Sequence, residues 1–98
     1  MTGDKVKEVA TKYEVFLQEQ YRTTPGRNME AYLLEDRLKH LHWMCVQIRE
    51  FVDADRIDKA FRWLGFLQGA FWVLGIYSIE EAKKDNTPDG VQFDKQKV

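Results

Sequence analysis

Along residues 60–77, AFRWLGFLQGAFWVLGIY, only Arg62 and Gln68 are strongly polar. Helical spacing puts Ala60, Leu64, Leu67, Phe71 and Leu74 on one face of this stretch. A second apolar set, Trp63, Phe66, Ala70 and Val73, falls on another face. A helix on the surface of a domain carries one apolar stripe, and a helix apolar on all sides is normally buried. A short chain has few elements to wrap such a helix, so a second copy or a partner is expected to cover part of it. Gly65 and Gly69 lie one turn apart, where missing side chains let another backbone approach closely.

The other elements follow from the same periodicity. Val6, Val9, Tyr13, Phe16, Leu17 and Gln20 predict an amphipathic helix over residues 5–21, capped by Asp4. Pro25 and Gly26 break it. Leu34, Leu38, Leu41, Cys45, Ile48 and Val52, widened by Met44 and Phe51, predict a long helix over residues 29–52 with Asn28 as its cap. Trp43 and Val46 lie off that stripe and point to a second contact. The short link 53–56 makes the second and third helices antiparallel neighbours, with Asp55 expected to cap the third and Asp58 in its first turn. Gly75 is a natural stop, and Ser78-Ile79-Glu80-Glu81 reads as a capping box for a short helix ending near Lys84. The expected fold is all-α: a small bundle of three main helices plus a short C-terminal helix. Residues 1–85 form one helical domain, and 86–98 read as a mostly mobile tail.

Charge narrows the functional classes. Fifteen basic and sixteen acidic residues leave a net charge of −1, which gives no bulk attraction to nucleic acid or an anionic membrane. The apolar run from Trp63 is interrupted by Gln68 and falls short of the roughly 20 residues that span a bilayer, so no membrane association is expected. No apolar signal-peptide core opens the sequence. With a single cysteine, Cys45, there is no intrachain disulfide and no Cys-based zinc site. These features predict a cytoplasmic protein.

Candidate chemistry is sparse. Asp36 and His40 share a helical face, as do Glu35 and His42, but two donors do not hold a metal, and these residues read as surface positions. Glu50 and Asp53 form an ExxD segment, with Glu30, Glu35 and Asp36 upstream, a faint echo of the magnesium-dependent all-α nucleotide pyrophosphatases. The ExxE half of that family's pattern is missing. Cys45 sits on an apolar stripe, where a thiol behaves as a small hydrophobe. The first loop offers Thr23, Thr24 and Arg27 for a small anion at the start of the second helix. Arg62 and Gln68 are expected to be satisfied structurally, Gln68 by hydrogen bonds across an interface; the alternative is a ligand pocket lined by Trp63, Phe66 and Trp72. No residue is assigned as catalytic or as a metal ligand, and no cofactor is expected.

The segments RNMEAYLLEDRLKHLHWM and AFRWLGFLQGAFWVLGIYSIEE resemble small accessory proteins of tailed bacteriophages. That resemblance, over about residues 27–88, implies a host-directed or replication-associated role and transfers no residue roles. Together these readings predict a non-catalytic protein-binding module, a homodimer that binds or inhibits a host protein in the host cytoplasm. Its expected interface is Trp43, Trp63, Phe66, Gly69, Ala70 and Val73, because large aromatics anchor such contacts. The alternatives are a small-ligand or nucleotide-binding protein and the pyrophosphatase-like enzyme.

Overall fold

Thr2 opens the first helix: its hydroxyl accepts from the Lys5 amide at 3.1 Å, which moves the cap two residues ahead of the expected Asp4. Asp4 lies instead in the first turn, where its carboxylate complements the exposed amides. The computed structural model describes residues 2–87. It is all-helical among them, with α1 (Gly3–Tyr21), α2 (Leu34–Asp53), α3 (Ile57–Val73) and α4 (Ile79–Asn86). The expected mobile tail falls, for 88–98, outside the described residues. Asp85 and Asn86 belong to α4, which runs past the expected end at Lys84.

The three long helices run up, down and up. Close contacts join the start of α1 to the end of α2, and an added Cβ at Gly3 would lie 3.0 Å from Val52 and 3.1 Å from Ile57. Further along, Glu14 meets Arg49 and Tyr13 meets Phe71. Each helix contributes one stripe to a common core: Val6, Val9, Ala10, Tyr13 and Leu17 from α1; Leu38, Leu41, Met44, Cys45 and Ile48 from α2; Ala60, Leu64, Leu67 and Phe71 from α3. Burying side chains of this size contributes roughly 1.5–3 kcal/mol each before entropy is counted. The predicted stripe of α2 frays at both ends, because Leu34 is exposed and Val52 is only half-buried.

Two turns fix the helix lengths. Gly75 adopts φ 75° just beyond α3, the Ile76 amide donates to the Phe71 carbonyl, and the Gly75 amide donates to that of Trp72. This is the Schellman closure expected at Gly75. α2 ends in the same way with Asp55 at φ 59°, its amide on Val52 and the Arg56 amide on Phe51. Asp55 therefore closes α2 and does not cap α3, which starts from Arg56 without a side-chain cap. A link this short needs one left-handed residue, and Asp tolerates that conformation better than most. Ser78 and Glu81 form the predicted capping box of α4.

The largest departure lies between α1 and α2. Residues 22–33 are not helical, and α2 opens at Leu34 instead of Met29. Asn28 does not cap the helix. Its side-chain carbonyl accepts from the Glu30 amide, and its own amide donates to His40 Nδ1 at 3.0 Å. The Gly26 amide donates to the Lys39 carbonyl, and Arg37 Nε donates to the Ala31 carbonyl. Backbone polar groups that a helix would have satisfied internally are spent on α2, so this segment lies along it as a strap.

Candidate functional site

The strap and α3 leave a groove between them of about 750 Å³. Met29 and Ala31 form its strap wall, Arg37, His40 and Leu41 its floor on α2, and Phe66, Gly69, Ala70, Trp72 and Val73 its α3 wall. The α3 wall arises from the sequence period. Phe66, Gly69 and Val73 project opposite Leu64, Leu67 and Phe71, so satisfying the core leaves the second apolar set outside. Met29, Phe66, Trp72 and Val73 are 71, 62, 55 and 74 % exposed. At roughly 200 Å² per large side chain these four present on the order of 500 Å² to water. Monomers rarely expose more than a few hundred Å² of contiguous apolar surface.

The expected interface residues divide. Phe66, Gly69, Ala70 and Val73 line the groove, and nothing lies within 4 Å of a Cβ built on Gly65 or Gly69. Trp43 and Trp63 pack on each other in the α2–α3 seam, with centroids 5.6 Å apart, and Phe51 meets the Trp63 ring edge-on at 4.8 Å. Arg27 lies over Trp43, and Lys59 over Phe51, so these rings are partly covered within the chain. Met29, Ala31, Arg37 and His40 went unrecognised as groove residues, because a helix over 29–52 keeps Met29 away from α3. Trp72, in contrast, carried a legible signal as a bulky aromatic off the core stripe.

The ionisable residues lining the groove, Arg37 and His40, are both potentially cationic. His40 Nδ1 accepts a backbone amide proton, which fixes the neutral ring with its proton on Nε2. Burial, and then the nearby Arg27 charge, hold its pKa below the ordinary value. Asp36 and His40, on one helical face, form no ion pair among the described residues: the partner of His40 is the strap.

His42, expected at the surface, is buried instead. Its Nδ1 lies 2.8 Å from Thr23 Oγ1 and its Nε2 3.6 Å from Glu14. With Nε2–H facing the carboxylate, Nδ1 accepts from the Thr23 hydroxyl. Glu14 in turn takes two 2.9 Å bonds from Arg49 Nη2, while Arg49 Nη1 is buried without a partner. The order hydroxyl, imidazole, carboxylate resembles a nucleophile relay. However, Thr23 is itself buried, and these residues do not line the groove where a substrate would sit. The arrangement pins the strap to α2. It also commits Thr23 to His42, apart from Thr24 and Arg27, and the helix that was to present its amides to an anion starts only at Leu34.

Gln68 is buried inside the chain. Its Nε2 donates to Tyr13 Oη at 3.0 Å and to Asn86 Oδ1 at 2.7 Å, and its Oε1 accepts from Asn86 Nδ2 at 2.9 Å. Tyr13 donates to Asp85, which also pairs with Lys12. Gln68 thus belongs to a polar clamp on α4 and not to the groove. Cys45 is fully buried, and burial raises its pKa to about 12. Glu50 and Asp53 are exposed at the end of α2, Asp53 paired with Lys7 at 2.6 Å. Among the described residues, no three His, Cys, Asp or Glu side chains converge to hold a metal, and no helix is long and apolar enough to cross a membrane.

What fold and site define together is an all-helical module with an open apolar groove on one side. Compared with protein-family models, curated proteins and solved structures, the chain matches none.

Proposed function

We propose that this protein is a non-catalytic binding module whose groove between α3 and the strap docks a helix of another protein. The observation that carries this reading is the exposure of Phe66, Trp72, Val73 and Met29 around one groove. Their surface, on the order of 500 Å², is the larger part of the ~800 Å² each partner buries in a standard interface. A groove of this shape suits the helix-in-groove mode, in which an apolar stripe supplies anchors at helical spacing. The resemblance to phage accessory proteins makes a host protein the natural partner, and inhibition a natural consequence. Self-association is supported by the same area, so oligomeric state is measured alongside.

The test places a photoreactive amino acid at Val73 in the producing cell, and separately at Glu19 on the exposed side of α1. Discrete crosslinked species are expected at Val73 only, and Phe66→Asp should abolish them. Equal crosslinking at both positions, or indifference to Phe66→Asp, would sink the reading. Light scattering on the purified chain across a wide concentration range tells whether the crosslinked species is a second copy.

A further inference from the structure

The chemistry of the groove narrows its occupant, on the reading just given. Its walls are apolar, and its ionisable residues are Arg37 and His40, with no carboxylate among those that line it. Arg37 is held in place: Nε donates to the Ala31 carbonyl at 3.0 Å, which anchors the guanidinium against the strap. Among the described residues, no carboxylate pairs with it. The anchored Nε leaves the two terminal nitrogens of the fork free to meet a carboxylate side by side, the geometry arginine serves best. His40 adds a second donor of defined position, because the amide held by Nδ1 puts its proton on Nε2. One turn before Phe66 on the same face of α3 stands Arg62, exposed and likewise without an ion pair among the described residues. Asp58, the acidic residue of α3, lies one turn before Arg62, and the two line a second hollow with Asp55, outside the groove.

We propose that the groove takes an acidic amphipathic helix from a partner protein, its apolar stripe on Phe66, Trp72 and Val73 and a flanking carboxylate on Arg37. The length of contact is set by α3: from Arg62 to Val73 the face runs about 16 Å, or three helical turns. A carboxylate near the end of the partner's stripe reaches Arg62. A second copy of this chain is a poorer occupant. Its own α3 face carries Arg62, Phe66, Gly69 and Val73, with Asp58 a turn before Arg62, beside that cation and beyond the apolar stretch. In an antiparallel pair it would lay a guanidinium against Val73, and desolvating an unpaired charge is costly.

Two synthetic peptides test this, each about 18 residues long to match α3. They share one leucine stripe at i, i+3, i+4 and i+7 spacing, with glutamates flanking it in one and lysines in the other. Titration calorimetry should show the glutamate peptide binding about tenfold more tightly, with the preference shrinking at high salt. Arg37→Gln should remove most of that preference and Arg37→Lys should retain part of it, while Val73→Asp abolishes binding of both peptides. Equal affinity for the two peptides, or a preference for lysine, overturns the charge assignment and leaves the groove reading standing. If neither peptide binds and the chain is a dimer broken by Val73→Asp, the occupant is a second copy and the proposal fails. If neither binds to a monomer, both readings fail.

Discussion

Tyr13→Phe isolates one atom of the clamp on α4. The ring is fully buried, meets Phe71 edge-on at 5.0 Å and lies 5.2 Å from Tyr77, and phenylalanine preserves those contacts. What goes is the hydroxyl that donates to Asp85 at 2.8 Å and accepts from Gln68 at 3.0 Å. A bond to an ionised group is worth about 1.5–3 kcal/mol and a neutral one about 0.5–1.5. Neither partner is orphaned, since Gln68 keeps Asn86 and Asp85 keeps Lys12. That places the loss toward the lower end, at about 2–3 kcal/mol. For a domain of this size the melting temperature should fall by roughly 10–20 °C. Urea unfolding followed by tryptophan fluorescence reads the free energy, with Trp43 and Trp63 as reporters in the α2–α3 seam. Hydrogen exchange should show α4 losing protection before α1 to α3. The cycle of Tyr13→Phe with Asp85→Asn should be non-additive, because the two act through one bond. A loss under about 0.5 kcal/mol, the size of an ordinary surface change, would falsify the clamp.

Stability should fall as pH drops below the ordinary histidine value of 6.5. Burial first of all depresses the pKa of both His42 and His40, so the unfolded chain takes up protons before the folded one does. Urea midpoints at pH 7.5 and 5.5 check this, and a midpoint that rises toward acid would show that the Glu14 carboxylate stabilises protonated His42 within the fold. Cys45, buried with its thiol pushed up to about 12, should react with a thiol reagent only at the rate of unfolding; a fast native reaction would place it near the surface. Gly69→Ala, at an open helical site, should hold or raise stability by up to about 1 kcal/mol, while Gly75→Ala should cost about 1–2 kcal/mol for its left-handed backbone. Thermal melts of the two variants separate these cases.

The periodicity of residues 60–77 already contained the main feature of the site. One apolar face had to serve the core, and among the described residues no other element covers the second. The strap was hidden for a different reason. Residues 29–33 suit a helix by composition, and Asn28 suits a cap, so local preference pointed one way. Tertiary bonds to Lys39, His40 and Arg37 prevailed. His42 reads as a surface position because its partners are distant in sequence: Thr23, just beyond α1, and Glu14, within it, reach it only in the fold. Gln68 was legible as a satisfied polar residue, but its partners Tyr13 and Asn86 are too distant in sequence to be read from spacing.

Arg62 and Gln68 show why one helix carries both kinds of polar interruption. They lie about 120° apart around α3: Gln68 faces inward, where burial demands partners and α4 supplies them, and Arg62 faces outward, in a hollow with Asp55 and Asp58. The same division runs through the charges. On the α1 side Asp53, Asp85 and Glu14 are matched by Lys7, Lys12 and Arg49. Arg37 lines the groove beside exposed Met29, Phe66, Trp72 and Val73 and pairs with no carboxylate among the described residues, while Arg62, one turn before Phe66, shares a hollow with Asp55 and Asp58. A fold that satisfies its charges on one side and leaves Arg37 unpaired beside bare apolar surface on the other offers the proposed acidic helix both of the contacts it needs. Stability alone gives no reason to leave Phe66, Trp72 and Val73 in water, and the proposed helix would cover all three.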